Sequence, residues 1–316
     1  MLEILVERFG DPDVLVAHEA LDPVPGPGQV VIDVAVAPVL MLDVAVRAGR
    51  GPLPLEPPYV PGAGVAGRVR SVGPDVPQGW IGRTVVADVT GGYAQRVAVD
   101  VSAMVPVPGG LGVADAAALL HDGRTAARLI EVVPIRRGQR VLVTGAAGAL
   151  GLLLVQQAVT AGARVIAAAG CQRKLDAAAA QGAEVVVSYT DADWPARVRE
   201  ATAGAGVDVV FDGVGGAIGA AAFDLTAPGG RFSAASCEVT PIDPAEAARR
   251  RIAVHGIDRV RLHGGEMRRV VALALAEAAT GRIHPVIGQT YPLEQAADAH
   301  RALESHTTIG KTLLLV

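Results

Sequence analysis

The sequence has few cysteines, few aromatic residues and no large excess of either charge. Cys171 and Cys237 are its only cysteines, which is too few for a four-cysteine zinc site and does not suggest a disulfide framework. Aromatic residues make up 3% of the chain, so we expect a core of small aliphatic side chains. The net charge is −4 with both signs interspersed, and this argues against the basic face that nucleic-acid binding needs.

Long apolar runs are also missing. No run reaches the roughly 18–20 residues of a membrane-spanning helix. The N-terminal segment lacks the basic region and apolar core of a secretory signal. We therefore expect a cytoplasmic protein that acts on a small molecule, with no membrane or nucleic-acid partner. A length of 316 residues predicts two domains, each with its own core.

The first 108 residues are punctuated by proline and glycine, which favours short strands over long helices. Apolar segments predict strands at 30–36, 65–72, 84–89 and 94–99, and a helical turn at 42–47, in a compact barrel-like domain. Residues 112–133 become helical. We predict two helices there, at 114–120 and 125–133, separated by Asp122 and Gly123.

From about 139 to 256, strand and helix patterns alternate, which predicts a parallel sheet with helices on both faces. The predicted strands are 140–144, 164–168, 184–187, 207–212, 230–234 and 252–257, and the predicted helices are 149–161, 173–181, 193–203, 216–226 and 244–250. Helices at 266–280 and 293–303 and a strand at 311–316 follow. We expect that last strand to return to the first domain, so that domain one comprises 1–118 with 257–316, and 119–256 is inserted in it.

A glycine turn links the first strand of the alternating region to its helix. Glycines stand at 145, 148 and 151, and Ala146 occupies the first slot of the G-x-G-x-x-G pattern. A dinucleotide site needs such a tight turn, close backbone approach to a pyrophosphate, and free N–H groups at a helix N-terminus. The residues expected at the pyrophosphate are Ala147, Gly148, Ala149 and Leu150. The alternative is that these glycines serve packing alone.

The end of the second strand of this region favours NADP(H) over NAD(H). A site for the unphosphorylated ribose has an acid there, about 20 residues after the glycines. Here the strand ends in Gly170, with no acid, and Arg173 and Lys174 follow. Cations pair with a 2′-phosphate, whereas a carboxylate repels it. The alternative is that both are the solvated first turn of a helix.

Several motifs in order along the whole chain resemble the zinc-independent branch of the medium-chain dehydrogenase/reductase superfamily, close to quinone oxidoreductases and enoyl reductases. They are Pro61–Gly67, Gly92–Gln95, Gly145–Gly151, Phe211–Gly216, Ala299–Glu304 and Gly310–Thr312. The resemblance implies an α/β protein in which a GroES-like β-barrel domain carries an inserted Rossmann domain, a doubly wound parallel sheet. It also implies a homodimer.

The resemblance assigns further residues to an NADP(H) site. It implies that Gly170, Lys174 and Tyr189 hold the 2′-phosphate and that Thr125 lies near the nicotinamide. It places Gly213, Val214 and Gly215 at the adenosine or its ribose, and Ser236 in the loop near the nicotinamide and diphosphate.

The chain departs from its relatives at the substrate. Zinc-dependent relatives have a catalytic Cys and a Gly-His-Glu motif where this chain has Leu40 and Gly62–Gly64, so we expect no metal. Leu40 also stands where quinone reductases usually have an Asn, and Gly51 stands where they often have a Tyr. We therefore expect a more apolar and roomier pocket around Leu40, Gly51 and Tyr93, although Tyr93 also suits the core.

His121 and Asp122, directly before Thr125, are the candidate catalytic pair, because a carboxylate can orient a histidine proton donor. The alternative is that Asp122 caps a helix and His121 is packed or solvated. The first hypothesis is an NADPH-dependent, metal-free reductase of an activated C=C in an enone or enoyl thioester. The second is an NADPH:quinone oxidoreductase, and the third a nucleotide-binding protein with little turnover.

Overall fold

The structure is a computed structural model that describes residues 1–51, 55–236, 238–256, 262 and 264–316. The chain divides into two compact units. Unit 1 is Met1–Arg124 with His263–Val316, and unit 2 is Thr125–Leu262. Unit 2 is therefore inserted between two halves of unit 1. The proposed limits at 118 and 256 lie a few residues before these, and residue 257 lies outside the described part of the chain.

Unit 1 is built mainly from strands, numbered here in chain order through both units. Its strands are β1 (Leu2–Val6), β2 (Leu15–Glu19), β3 (Gln29–Val39), β4 (Gly64–Val72), β5 (Thr84–Asp88), β6 (Arg96–Asp100), β7 (Met104–Pro106), β14 (Ile287–Pro292) and β15 (Lys311–Leu315). Its helices are α1 (Met41–Arg47), α8 (Gly264–Ala279) and α9 (Ala296–Glu304), and α2 (Val113–Val132) runs from unit 1 into unit 2. Single 3₁₀ turns lie at Pro12–Val14, Gln78–Trp80, Val101–Ala103 and Leu293–Gln295.

The long strand β3 organises unit 1. One edge pairs with β4, while the other is shared by β6 along 29–33 and by β15 along 36–39. The strand order is β14-β15-β3-β4-β5-β7, and β1 and β2 form a separate hairpin. Val30, Ile32 and Val34 alternate along β3 and point into a core of small aliphatic side chains. The last strand does return to the first domain, as predicted, because β15 lies antiparallel to β3.

Unit 2 holds the alternating strands and helices. Its strands are β8 (Arg140–Thr144), β9 (Arg164–Ala169), β10 (Val185–Ser188), β11 (Val207–Asp212), β12 (Thr226–Ala234) and β13 (Ala253–His255), and its helices are α3 (Ala149–Thr160), α4 (Gln172–Ala179), α5 (Trp194–Ala201), α6 (Gly216–Asp224) and α7 (Pro244–Arg250). Each of these elements lies within a few residues of its predicted range. Residue 257, the last of the predicted strand 252–257, lies outside the described residues.

These strands pair in parallel in the order β10-β9-β8-β11-β12-β13. The chain adds β9 and β10 on one side of β8 and then β11, β12 and β13 on the other. The order therefore reverses between β8 and β11, which is the switch point of a doubly wound sheet. Val141, Leu142 and Val143 are fully buried because both faces of a parallel sheet are covered. The predicted fold class is confirmed.

The prediction of two helices in 112–133 is wrong. A single helix, α2, runs through Asp122 and Gly123. Gly123 does not break it, and a side chain there would crowd Leu119 of α2 and Ala274 of α8. A Cβ at Gly123 would lie 3.1 Å from the Ala274 Cβ and 2.9 Å from the Leu119 Cδ2. Asp122 therefore cannot be the cap of a second helix.

Replacing Gly123 by Val tests this packing. Valine has the better helix propensity, yet its branched side chain would push α2 and α8 apart, and overpacking costs about 1–3 kcal/mol. We expect Gly123→Val to lower the free energy of unfolding by that amount in chemical denaturation. Ala276→Val, on the exposed face of α8, is the control and should cost well under 1 kcal/mol. Equal effects of the two would show that the close approach is unimportant.

Candidate cofactor and substrate sites

The glycine turn of unit 2 has the geometry of an anion site. Gly145 follows β8 with φ of 64°, and Gly148 is the N-cap of α3. A Cβ on Gly151 would overlap the Gly145 carbonyl, so only glycine lets the helix start so close to the turn. The first N–H groups of α3, those of Ala149 and Leu150, have no acceptor within the helix. They are therefore oriented to bind a phosphate.

Ala146 fits the turn although the pattern asks for glycine. Its side chain is fully buried, and its N–H donates to the Ala168 carbonyl at 3.1 Å, which ties the turn to β9. The neighbouring Ala147 packs against Ala169 and Leu175. The alanine side chains at 146 and 147 are thus buried beneath the turn, and the groups that remain for a ligand are those of the backbone.

A buried carboxylate that the sequence analysis did not single out organises this edge of the sheet. Asp212, at the end of β11, accepts at Oδ1 from the Thr144 hydroxyl at 2.7 Å and from the N–H groups of Val214 and Gly215, both at 3.1 Å. Its Oδ2 accepts from the Thr240 hydroxyl at 2.6 Å. One side chain thus fixes the ends of two central strands and the loop that follows. An acid that ends an apolar strand before glycines is the signal that could have found it.

Of the three residues expected at a 2′-phosphate, Gly170 directly follows β9, Tyr189 directly follows β10, and Lys174 lies on the helix after β9. A Cβ on Gly170 would be 3.2 Å from the Tyr189 ring, so the phenol covers the glycine backbone. Lys174 lies in the first turn of α4. Partial burial, the largest cause, and the nearby Arg173 lower the pKa of Lys174. An anion beside Lys174 would offset both, because it favours the charged ammonium.

The other expected cofactor residues lie at neighbouring positions of unit 2. Gly213, Val214 and Gly215 form the loop held by Asp212, and the Ser236 hydroxyl donates to the Glu238 carbonyl at 2.6 Å. Thr125 lies on α2. These assignments stay predictions, and Cys237 lies outside the described residues.

In unit 1, the predicted catalytic pair does not form a pair. Asp122 accepts from the Lys311 ammonium at 2.7 Å, from β15. His121 instead meets Arg124, with its Nδ1 3.2 Å from the guanidinium Nη2, and Arg124 also donates to Asp88 at 2.7 Å. Because a guanidinium is always a donor, Nδ1 is the acceptor and Nε2 carries the proton of His121.

His121 stays neutral at physiological pH. Burial, followed by the charges of Arg124 and Lys311, lowers its pKa well below 6.5, against a smaller opposing effect from the Ala63 carbonyl. A neutral imidazole between cations is a poor general acid. The geometry therefore favours the packing role over the catalytic one, although the catalytic role stays a prediction.

At one of the positions where zinc relatives carry ligands, the space beside the backbone is already filled. A Cβ on Gly64 would lie 2.5 Å from Leu120 Cδ2 and 2.7 Å from His121 Nε2, and Leu40, at another such position, is the N-cap of α1. Within the described residues, no group of three His, Cys, Asp or Glu side chains is placed to hold a metal ion.

The expected roomier pocket is not produced by Gly51. A Cβ there would overlap Val46, so the glycine lets the chain pack on α1 rather than opening space. Tyr93 is fully buried, and its hydroxyl lies 3.3 Å from Asp43 Oδ2 and 3.1 Å from His300 Nε2. A small cavity lies nearby, lined in part by Asp43, Tyr59 and Thr90. Asp43 and Tyr59 were not among the predicted site residues.

Two family models match the chain. They are the alcohol dehydrogenase GroES-like domain at residues 26–110 and the zinc-binding dehydrogenase at residues 181–314. A 2-haloacrylate reductase of Burkholderia sp. is 32% identical, over 100% of this chain and 99% of its own length. The chain belongs to the medium-chain dehydrogenase/reductase superfamily.

Solved structures agree with this membership. The Escherichia coli quinone oxidoreductase complexed with NADPH has a TM-score of 0.91 at 27% identity and covers 100% of both chains. An NAD-dependent alcohol dehydrogenase has a TM-score of 0.90 at 32% identity, again over 100% of both chains. The superfamily is one of oxidoreductases, so the predicted family and enzyme class are confirmed. Because neighbours with either nucleotide are equally similar in fold, the fold does not choose between NADP(H) and NAD(H).

The role of Asp212 is tested by removing its acceptors. Asp212→Ala leaves two N–H groups and two hydroxyls without their partner, and each such buried group costs about 1–3 kcal/mol. We expect a loss of about 3 kcal/mol or more in denaturation, with faster amide exchange at Val214 and Gly215. Asp212→Asn keeps one acceptor oxygen and should lose less. Unchanged exchange in the Ala variant would contradict the anchoring role.

Proposed function

We propose that this superfamily member is an NADPH-dependent reductase that delivers hydride to an activated carbon–carbon double bond. The observation that carries the cofactor choice is the end of β9. It presents Gly170 and Tyr189 in contact and Lys174 nearby, with no acid at the strand end. A carboxylate there would bind a free ribose, whereas an ammonium favours a 2′-phosphate. The NADPH complex of the similar E. coli enzyme supports this choice.

Unit 2 offers candidate contacts for each part of the dinucleotide. The turn around Gly148 and the first N–H groups of α3 suit the pyrophosphate, and the loop 213–215, anchored by Asp212, suits the adenosine ribose. Thr125 and Ser236 are the proposed contacts toward the nicotinamide and diphosphate. When bound, NADPH supplies the hydride, so that the protein has to orient the acceptor and stabilise its developing charge.

The proposed acceptor is an alkene conjugated to a carbonyl group, such as an enone or enoyl thioester. The similar 2-haloacrylate reductase supports reduction of an activated alkene, and the similar quinone oxidoreductase supports the quinone alternative equally. Solvent is the proposed proton source, because His121 is neutral and lies between cations. The alternative to both enzyme functions is a nucleotide-binding protein with little turnover.

A panel of acceptors separates these functions. We expect NADPH oxidation, followed by absorbance at 340 nm, with 2-cyclohexenone or crotonyl thioesters. Activity on 1,4-benzoquinones but on no enone would select the quinone reductase. NADPH binding without oxidation against the whole panel would remove both enzyme proposals and leave the binding protein.

Lys174→Ala tests the cofactor choice. The variant loses a charge-assisted contact worth about 1.5–3 kcal/mol, so the Kd of NADPH should rise roughly 10- to 100-fold in a fluorescence titration. NADH should bind within about twofold of its affinity for the wild type, because it lacks the phosphate. Arg199→Ala, on α5 of the same unit and exposed, is the matched control and should change neither Kd much. Equal losses for both nucleotides in Lys174→Ala would refute the phosphate contact.

The homodimer and the cytoplasmic location remain part of the proposal. β13 is an edge strand of the unit 2 sheet as described, and its Val254 is exposed, which is compatible with pairing to a second copy. In the described part of the chain, no helix combines the length and apolarity that crossing a bilayer requires.

A further inference from the structure

A larger cavity of unit 1 is lined by none of the residues predicted for the cofactor or the acceptor. It has a volume of about 460 Å³ and lies between Arg83 and Thr84, at the start of β5, and the segment 106–113, which leads from β7 into α2. Sites for small molecules in proteins commonly measure roughly 300–1,000 Å³. The cavity therefore has room for an organic molecule and is much larger than a single ion needs.

Arg83, the cationic side chain at this cavity, is held by the turn between β4 and β5. Its N–H donates to the Trp80 carbonyl at 3.1 Å, and its carbonyl accepts from the Val69 N–H at 3.0 Å. Its side-chain Nε donates to the Gly79 carbonyl at 2.8 Å, and the guanidinium carbon lies 5.4 Å from the centre of the Trp80 ring. Much of the conformational freedom that an arginine loses when it binds a ligand is therefore already lost.

The end of the Arg83 guanidinium remains available for a ligand. Its Nε is used by Gly79, but neither Nη1 nor Nη2 makes a hydrogen bond or an ion pair with any residue that the structure describes. The side chain is exposed, so water reaches these groups when no ligand does. Two parallel N–H bonds from one guanidinium match the two oxygens of a carboxylate. This edge of Arg83 is therefore suited to an oxyanion.

Further donors at the wall of the cavity have no partner among the described residues. They are the Thr84 hydroxyl and the N–H groups of Gly109 and Gly110. A Cβ on either glycine would meet no atom within 4 Å, so a ligand can approach this backbone closely. No acidic side chain lines the cavity, since Asp115, in the first turn of α2, is not part of the wall. The polar side of the wall thus favours a ligand that supplies acceptors and negative charge.

The rest of the wall is apolar. Its side chains are those of Pro106, Val107, Pro108, Leu111 and Val113. The two prolines have no N–H group, which leaves this side with few donors for a polar ligand. An apolar body on the ligand would gain from covering these side chains, because burial of apolar surface is favourable.

The number of cations at the cavity limits the charge of the ligand. Arg83 is the one cationic side chain in the wall. A carboxylate carries one negative charge at pH 7, whereas a phosphate monoester carries about 1.5 to 2. A single guanidinium therefore balances a carboxylate and leaves a phosphate partly unpaired.

We propose that this cavity is a binding site for a small organic monocarboxylate with an apolar body. The carboxylate pairs with Nη1 and Nη2 of Arg83, and the body packs against the apolar wall formed by the segment 106–113. The site goes beyond the proposed reductase, since no residue of its wall is among the proposed contacts of NADPH or the acceptor. Its test therefore needs no turnover.

A calorimetric titration of the full-length protein with 2-naphthoate tests the charge contact. We expect 2-naphthoate to bind the wild type roughly 5- to 20-fold more tightly than the neutral 2-naphthamide, a modest ratio because Arg83 is exposed. Arg83→Gln should remove this difference by weakening 2-naphthoate alone, and 2-naphthyl phosphate should bind the wild type no more tightly than 2-naphthoate.

The matched control is Arg8→Gln, which removes another exposed arginine of unit 1 that does not line the cavity. It should leave the Kd of both naphthyl ligands unchanged. An Arg83→Gln protein that keeps the preference for 2-naphthoate, or a wild type that does not bind 2-naphthoate, would overturn the proposal. Tighter binding of 2-naphthyl phosphate would overturn the preference for a single charge.

A second measurement locates the ligand. In the protein labelled with ¹⁵N-glycine, 2-naphthoate should shift the amide signals of Gly109 and Gly110, and Arg83→Gln should weaken this response. Gly109→Ala, whose Cβ has open space around it, identifies one of the two signals by its loss. If 2-naphthoate shifts other glycines and leaves these two unchanged, it binds elsewhere on the protein and the proposal is wrong.

Discussion

The buried carboxylate of Asp212 is the interaction on which the candidate cofactor site depends. A parallel sheet brings the carboxyl ends of its central strands to one edge, where backbone N–H groups of the following loops have no strand to pair with. Asp212 supplies acceptors to two of them and to the hydroxyls of Thr144 and Thr240. The loop 213–215 is therefore held in one conformation before any ligand arrives.

Asp43 is the other buried aspartate of note, and it is arranged differently. Both hydrogen bonds that it receives from the described residues go to one oxygen. Burial raises the pKa of Asp43 to about 6, and the Leu40 N–H, the Lys311 charge and the Tyr93 hydroxyl oppose this effect only in part. Full satisfaction makes Asp212 an anchor, whereas partial satisfaction gives Asp43 the capacity to bind or titrate.

Features governed by local sequence were predicted well. The parallel strands follow from continuous runs such as Val141–Val143, and the turn follows from the need for glycine at positions 145 and 151. The predicted break at Asp122 and Gly123 was wrong, because glycine occurs both where helices end and where helices pack closely. Glycine has a low helix propensity, but at position 123 it also relieves crowding between α2 and α8.

The substrate side was harder to predict because its contacts join distant parts of the chain. Asp122 looked like a partner for its neighbour His121, yet its carboxylate is taken by Lys311, 189 residues away. The missing side chain at Gly51 suggested a larger pocket, yet the backbone there packs directly against Val46 and leaves no extra space. Tyr59 had no motif to mark it, and only the structure shows that its hydroxyl is buried without a partner among the described residues.

This contrast explains why the sequence predicts a dinucleotide site more readily than it predicts the acceptor. Phosphates are bound largely by backbone N–H groups, so a turn of fixed geometry suffices and its glycines are visible in the sequence. An acceptor carbonyl is bound by one or two side-chain donors, and a donor can be supplied from different positions at the same cavity. Leu40, the N-cap of α1, has no hydrogen-bond donor in its side chain where the resemblance to quinone reductases implies an amide.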